Sequence, residues 1–238
     1  MRICVCSDIH GNAAAFWTFV EDIQKKQIDL TIFCGDVFGY YYDADSILTW
    51  MRTQEGWKCL LGNHDKSFLE VVDGVQSENY LVERYGNSYL NIQDRIKRKN
   101  VDFLRQLKSD FFLEVDDLKL AFYHGGPLDP TNMRIYPDNK FDDVKLVGLI
   151  EKFDYVFCGH THHKMLRKVG KTIVVNPGSI GQQRDGKGVS YIIFDSEKLK
   201  VEFHIFEYDK TGIVYQINEK ESNEMIKKKL IEVLYRRK

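Results

Sequence analysis

The feature that most constrains the fold is a series of short apolar segments, rich in β-branched and aromatic residues and mostly closed by Gly, Asp or Asn. This length and composition are typical of β-strands. The segments are residues 2–7, 30–35, 58–62, 119–125, 155–159, 172–178, 190–195 and 201–206. The early segments are apolar on both faces, which indicates a sheet covered by helices on one side and by further structure on the other. We expect the later segments, between residues 164 and 206, to form an antiparallel sheet.

Helical patterns alternate with the early strands, which indicates an α/β fold. Residues 12–27 begin with Asn12, a favourable N-cap residue, and carry a wide apolar face. Residues 43–54 and 144–153 show the same helical spacing of apolar side chains. We therefore expect helices in these three segments.

Two further segments extend this α/β core. Residues 66–110 are rich in charge and poor in strand signals, and they predict two to four helices in a cap-like insertion. Residues 208–238 predict a C-terminal helical extension. Its apolar face is formed by Ile226, Leu230 and Val233. We expect this face to dock on the domain, with a homodimer contact as the alternative, and we expect residues 1–238 to form a single domain.

Composition and charge exclude several classes of function. The chain has 238 residues, of which 43% are hydrophobic and 13% aromatic, so it can bury a large core. The formal net charge is −1, which argues against a broad binding surface for nucleic acid or for an anionic membrane. Recognition of a phosphate group must therefore be local.

The cysteines and the N-terminus indicate a cytoplasmic protein. The five cysteines are an odd number, and each lies in or beside an apolar segment, so we expect buried thiols rather than disulfides. Cys4 and Cys6 would share one face of a strand. Polar residues appear by position 7, too early for a signal peptide, and no segment approaches the ~18 apolar residues of a membrane span.

Polar side chains that can bind a metal follow the predicted strands. Six of the seven histidines lie just past a strand, and only His204 lies inside one. Asp8, Asp36 and Asn63 occupy equivalent positions. Because ligand sites in open α/β sheets assemble at the carboxyl ends of the strands, these residues predict a common site.

The spacing of these residues predicts how they share the site. Asp8 and His10 are two residues apart, as are His160 and His162, so in extended backbone each pair points one way. Asn63 and His64 are adjacent and therefore suit different roles. The candidate donors are Asp8, His10, Asp36, Asn63, His124, His160 and His162. This set suits Mn, Fe or Zn, and it is too large for one ion, so it predicts two ions about 3.5–4 Å apart with a bridging carboxylate.

The ordered motifs "DIH", "GD", "GNHD", "HGG" and "GHTH" resemble those of the calcineurin-like metallophosphoesterase superfamily. The segment "NPGSIGQQRDGKG" is similar to the small bacterial and archaeal branch described as phosphodiesterase or diadenosine-tetraphosphatase-like. The resemblance spans residues 2 to about 206. It implies a four-layer α/β/β/α sandwich with a dinuclear metal site at the strand ends.

The resemblance also implies roles for individual residues. One ion would be bound by Asp8, His10 and His162, and the other by Asn63, His124 and His160, with Asp36 bridging them. His64 would be the outer-sphere catalytic histidine that faces the scissile phosphate. His163 has no ligand role in the family.

These roles predict a metal-dependent phosphoesterase, most of all a phosphodiesterase, in which hydroxide bridging two divalent ions attacks phosphorus. Manganese is favoured among the three candidate metals. The alternatives are a phosphomonoesterase or phosphoprotein phosphatase with the same centre, or a non-catalytic scaffold for protein binding. The physiological substrate is not specified by these motifs.

Substrate contacts are less sharply predicted. Arg184 can clamp a phosphate oxygen, although an exposed turn residue is an equal interpretation. Tyr40, with Tyr41 and Tyr42, can line the substrate rim or pack internally. The loop that contains Asn176, Gly178 and Ser179 can border the pocket.

Overall fold

The computed structural model describes residues 1–138 and 143–236, which form two five-stranded β-sheets and the helices around them. The strands are β1 (Arg2–Cys6), β2 (Leu30–Phe33), β3 (Trp57–Cys59), β4 (Asp110–Val115), β5 (Leu118–Tyr123), β6 (Tyr155–Phe157), β7 (Met165–Val169), β8 (Thr172–Asn176), β9 (Val189–Asp195) and β10 (Lys200–Phe206). The helices are α1 (Ala13–Ile23), α2 (Ala44–Met51), α3 (Asn63–Val72), α4 (Glu78–Tyr85), α5 (Ile92–Arg95), α6 (Arg98–Gln106), α7 (Asp143–Ile150), α8 (Thr211–Lys220) and α9 (Glu224–Tyr235).

Both sheets are mixed, and each contains a group of three parallel strands. The first sheet has the order β10-β9-β1-β2-β3, in which β1, β2 and β3 are parallel. The second has the order β4-β5-β6-β8-β7, in which β5, β6 and β8 are parallel. Each parallel group brings the carboxyl ends of its strands to one edge, where loops can converge.

The expected antiparallel sheet after residue 164 is wrong, because its strands are divided between the two sheets. The hairpin β7–β8 belongs to the second sheet, and the hairpin β9–β10 belongs to the first, where β9 pairs with β1. Strands β4 and β7 were not predicted. β4 alternates between half-buried and exposed residues, and β7 carries Arg167 and Lys168, so neither has a continuous apolar run.

The alternation of side chains along β1 shows how the layers are built. Ile3 and Val5 face the second sheet, in a core that includes Phe157 and Phe194. Cys4 and Cys6 face the helical side and pack in the core that holds α1 and α2, as predicted from their spacing. On the far face of the second sheet, α7 packs on β5, β6 and β8. The result is the predicted four-layer α/β/β/α sandwich.

Side-chain caps position the helices at both ends of the chain. Asn12 Oδ1 accepts a hydrogen bond from Ala15 N at 3.1 Å, which confirms it as the N-cap of α1. Asn223 caps α9 in the same way, by accepting from Met225 N at 3.0 Å. Leu230 and Leu234 of α9 are buried in the main core, so the terminal helix docks on the molecule as expected.

The segment between β3 and β4 forms the four helices α3 to α6, within the predicted range. The first of them begins at Asn63, so Asn63 and His64 lie in the first turn of a helix rather than at the end of a strand. All five cysteines are free, and four of them are fully buried, whereas Cys59 is half-buried. Among the described residues, no helix has the length and apolar character that a membrane span requires.

Candidate metal centre

The predicted donors converge at the edge where the two sheets meet. Asp8 and His10 follow β1, Asp36 follows β2, and Asn63 begins α3. From the second sheet come His124 after β5, and His160 and His162 after β6. With the exception of Asn63, which is half-buried, all of these side chains are buried. The structure therefore brings together residues that are up to 154 positions apart, from Asp8 to His162.

The local backbone at these donors is unusual. Five of the seven have φ between +52° and +67°, in the left-handed region. These residues are Asp8, His10, Asp36, His160 and His162. Our argument from extended backbone was therefore wrong in its geometry, although each pair does point into one site. A non-glycine residue in this region is strained by about 1 kcal/mol or more, which is typical of functional sites.

The first group of donors consists of Asp8, His10 and His162. Their ligand atoms lie close together, with His10 Nε2 at 3.1 Å from His162 Nε2, and His162 Nε2 at 3.3 Å from Asp8 Oδ1. His10 Nδ1 donates to Phe38 O at 2.6 Å, and His162 Nδ1 donates to Gln182 O at 2.5 Å. Since a carbonyl oxygen only accepts, the proton of each neutral imidazole is on Nδ1 and both Nε2 lone pairs face inward.

The second group consists of Asn63, His124 and His160, with Asp36. The inward amide atom of Asn63 lies 3.0 Å from His124 Nε2 and 2.8 Å from His160 Nδ1. His124 Nδ1 donates to Cys34 O at 2.7 Å, which turns Nε2 toward the group. One end of the Asn63 amide and two imidazole nitrogens therefore point at one region.

Asp36 lies between the two groups. Its Oδ2 is 3.4 Å from His124 Nε2 and 3.8 Å from His10 Nε2, while Oδ1 accepts from His64 N at 2.8 Å. A carboxylate oxygen so placed can be shared by two cations.

The arrangement fits metal ions because acceptors face acceptors in a buried space. Two imidazole lone pairs meet at 3.1 Å, and Asp8 Oδ1 is a buried carboxylate oxygen without a hydrogen bond in the described structure. Such a cluster is repulsive unless a cation lies within it. The Nδ1 hydrogen bonds to backbone carbonyls are the outer contacts that metal-binding histidines usually make.

His64 lies beside these donors and is contacted by two tyrosines of the inserted segment. Its Nδ1 is 2.8 Å from Tyr89 OH, and its ring is 4.5 Å from the ring of Tyr85. Burial lowers the pKa of His64 to about 4, so the imidazole is neutral at pH 7. Tyr85 and Tyr89 were missed by the sequence analysis, which treated residues 66–110 as helices without assigning roles to single residues.

Both predicted substrate residues lie next to the cluster. Tyr40 packs edge-on against His10, with ring centroids 4.9 Å apart, and Arg184 Nη2 donates to Tyr40 OH at 2.8 Å. Tyr41 and Tyr42, in contrast, are buried in the helical core, so their interpretation as rim residues is wrong.

The loop after β8 donates hydrogen bonds to the backbone of the site and does not border the site itself. Asn176 Nδ2 donates to Gly159 O at 2.7 Å, and Ser179 Oγ donates to Asp8 O at 2.7 Å. His163 Nδ1 lies 2.6 Å from Thr161 O, and His163 belongs to none of the donor groups among the described residues. His204 stacks on Tyr191 in the sheet, far from the cluster in the fold.

Comparison with known proteins identifies the family. The model of the calcineurin-like phosphoesterase superfamily domain matches residues 1–199. The chain belongs to this superfamily. An uncharacterized protein of Methanocaldococcus jannaschii is 32% identical over 227 residues, which cover 87% of this chain and 88% of the relative. A protein of the same organism described as a phosphodiesterase is 24% identical, covering 75% of this chain and 83% of its own length.

A solved structure shows the same fold. The metallophosphoesterase from Sphaerobacter thermophilus superposes with a TM-score of 0.77 at 24% identity, and the match covers 97% of this chain and 99% of that chain. The fold class and the family predicted from the sequence motifs are thus confirmed.

Charge differs among the histidines of the candidate metal centre. Burial lowers the pKa of His160 to about 4 and also lowers the pKa values of His10 and His162. Burial acts in the same direction on His124, but the Asp36 carboxylate outweighs it and raises the pKa of His124 to about 9. Without a metal, His124 is therefore protonated at pH 7, whereas the other three are neutral.

Asp65, the last residue of "GNHD", organises the loop that carries Asp36. Its fully buried carboxylate accepts four backbone hydrogen bonds, from Asp36 N and Val37 N at 2.8 Å and from Phe38 N and Gly62 N at 3.0 Å. Burial and the charge of Asp36 raise the pKa of Asp65 to about 6, and the backbone donors oppose that shift. The sequence analysis missed this role, although an acidic residue in the first turn of a helix is a capping signal.

Asp65→Asn should destabilise the protein. The amide nitrogen would face backbone N–H groups that now donate to a carboxylate oxygen, so buried donors lose their acceptor. We expect a loss of about 2–4 kcal/mol in the free energy of unfolding, measured by urea denaturation. Asp73→Asn is the control, because Asp73 pairs with Arg105 at the surface. The urea midpoint of this variant should hardly differ from that of the wild type. Equal midpoints for the two variants would contradict the role of Asp65.

Metal uptake should release a proton from His124. Below pH 9 a cation at this nitrogen must displace the proton, so the affinity for Mn²⁺ should fall as the pH falls, by up to about tenfold per unit. Calorimetric titration of the metal-free protein with Mn²⁺ at pH 7.5, in two buffers of different ionisation enthalpy, measures this release. We expect about one proton per protein. Identical heats in the two buffers would show that His124 binds no metal or is neutral beforehand.

Proposed function

We propose that the protein is a metal-dependent phosphodiesterase that hydrolyses a P–O bond at a centre of two divalent ions. The observation that carries this proposal is the pair of buried donor groups on either side of Asp36, one with Asp8 and one with Asn63. A relative described as a phosphodiesterase supports the choice of a diester.

The residues divide into two sets of ligands. Asp8, His10 and His162 would bind one ion, Asn63, His124 and His160 would bind the other, and Asp36 would be shared. The donor set of oxygens and nitrogens without thiolate suits Mn, Fe or Zn, with Mn favoured. When bound, such ions supply an activated water and neutralise charge on the phosphate oxygens.

Electrostatics favour an anionic substrate at this centre. Two divalent ions bring four positive charges, and Asp8 and Asp36 return two negative charges. The site would therefore be locally positive in a chain whose formal net charge is −1. A phosphate ester is attracted to such a site without a broad basic surface.

His64 would act on the leaving oxygen. Tyr89 OH lies 2.8 Å from His64 Nδ1 and 3.5 Å from His64 O, so the shorter contact favours donation of the phenol hydrogen to Nδ1. In neutral imidazole the proton then lies on Nε2, which can donate to the phosphate or to the leaving oxygen. Tyr89 is a positioning residue because it acts only through His64.

Asp36→Asn tests the two-ion centre. Loss of the shared carboxylate charge should remove most of the metal and essentially all hydrolysis, because each ion loses an anionic ligand. Metal content is measured on the purified protein, and activity with Mn²⁺ on a bis-aryl phosphodiester and an aryl phosphomonoester. His163→Gln is the matched control, since His163 lies in the same motif but outside the donor groups.

The wild-type protein should hold close to two equivalents of metal and prefer the diester. A preference for the monoester would contradict the proposal and indicate a phosphomonoesterase instead. Failure to bind any of the three metals would point to a non-catalytic scaffold.

His64→Ala should retain the metals and lose about 10²–10⁴ in kcat, the usual contribution of a general acid. The loss should be larger for a poor alkoxide leaving group than for nitrophenolate, which needs no proton. Tyr89→Phe should show the same dependence on the leaving group with a smaller loss, about tenfold. Tyr80→Phe, at an exposed position of α4, is the control. Equal losses for both leaving groups would exclude proton donation by His64.

A further inference from the structure

A pocket lies between α4 of the inserted segment and the C-terminal helix α9, and we propose that it binds a second phosphate group of the substrate. The inference rests on the proposed phosphoesterase function and names the class of substrate. The pocket has a volume of about 320 Å³, enough for a phosphate and the group that links it to the rest of a substrate. It is a different cavity from the metal centre but shares a wall with it.

Two tyrosines form the shared wall. Tyr40 and Tyr85 both line the pocket and meet edge to face, with ring centroids 5.7 Å apart. On the other side, both rings contact His64, at 5.3 Å and 4.5 Å. A substrate whose scissile phosphate lies at the metal centre can therefore extend over these rings into the pocket.

The pocket is strongly cationic. Its lining includes four permanent cations, Arg84, Arg184, Lys229 and Arg236. Among the described residues that line it, Glu83 is the one carboxylate. The lining thus has an excess of three positive charges in a chain with a formal net charge of −1, so this surface concentrates charge.

One of these four cations, Arg184, is oriented but, among the described residues, not neutralised by a carboxylate. Arg184 is half-buried, and its Nη2 donates to Tyr40 OH at 2.8 Å and to Gln182 Oε1 at 3.0 Å. Both acceptors are neutral. The guanidinium is therefore held in place with its charge free for an anion, and its planar fork suits phosphate oxygens.

The lysines of α9 show the same contrast. Lys227 pairs with Glu224, and Lys228 pairs with Glu232. Lys229, the one that lines the pocket, has no carboxylate partner in the described part of the chain. Of these three consecutive lysines, the one that lines the pocket is the one whose charge no carboxylate of the described residues neutralises, which favours an anionic occupant.

Helix α9 lies beyond residue 199, where the match to the superfamily domain ends. Lys229 and Arg236 therefore lie outside the part of the chain that the superfamily domain matches. The substrate class that fits is a phosphodiester or phosphoanhydride with a further phosphate on the part that enters the pocket.

The test compares two substrates of the Mn²⁺-loaded full chain: a nitrophenyl nucleoside phosphodiester, and the same compound with an added phosphate on its ribose. We expect kcat/KM to be at least tenfold higher for the phosphorylated compound. Combining Lys229→Gln with Arg236→Gln should bring the ratio of the two values close to one. Lys228→Gln, on the same helix but ion-paired outside the pocket, should leave the ratio unchanged.

A wild-type ratio near one, or a ratio that the double variant does not change, would overturn the inference and leave the phosphodiesterase intact. If neither compound is hydrolysed, the proposed function fails. Whether the pocket binds phosphate is then tested by a binding measurement alone. Inorganic phosphate is then titrated into the metal-free protein by calorimetry. Binding that the double variant weakens at least tenfold supports the pocket, and binding unaffected by the variant, or absent, overturns it.

Discussion

The structure depends on holding mutually repulsive acceptors together in a buried space. Most of the donor residues adopt left-handed backbone, and several place a carboxylate oxygen or an imidazole lone pair against another acceptor. Neither condition is favourable by itself, so the surrounding fold must impose both. Local hydrogen bonds do so: Ile9 N and His10 N both donate to Asp36 O, at 2.9 and 3.0 Å, and Asp65 fixes the next turn. Cations would then turn the repulsion into binding.

The site also joins the two sheets. His160 N, from the second sheet, donates to Asp8 Oδ2 of the first at 3.1 Å, and Ser179 Oγ donates to Asp8 O at 2.7 Å. Beneath these contacts, Ile3 and Val5 of β1 pack against aromatic side chains of the second sheet. The apolar layer sets the distance between the sheets, and the polar contacts set their alignment. A change in the packing of this layer would therefore move one half of the donors relative to the other.

The parts of the fold that could be predicted from the sequence are those specified by local pattern. β1 reads as an apolar run, Asn12 reads as a cap, and polar residues at strand ends indicate a site. The pairing of β9 with β1 could not be predicted, because a hairpin has the same local sequence pattern whichever sheet it joins. The direction of Asp8 was argued from extended backbone, whereas the structure needs φ of +59° there, a value that tertiary hydrogen bonds impose.

The same reasoning explains why Asp65 and Tyr89 were missed. Their functions consist of contacts to groups whose positions depend on the whole fold: four backbone N–H groups for Asp65, and one imidazole nitrogen for Tyr89. The candidate donors, in contrast, can be recognised from their residue types and from the short motifs that contain them. It follows that the candidate donors can be read from the motifs, whereas several groups that contact His64 or line the neighbouring pocket come from the inserted segment and the terminal helix. The loop between α4 and α5 supplies Tyr89, which contacts His64 Nδ1, and α9 supplies Lys229 to the neighbouring pocket.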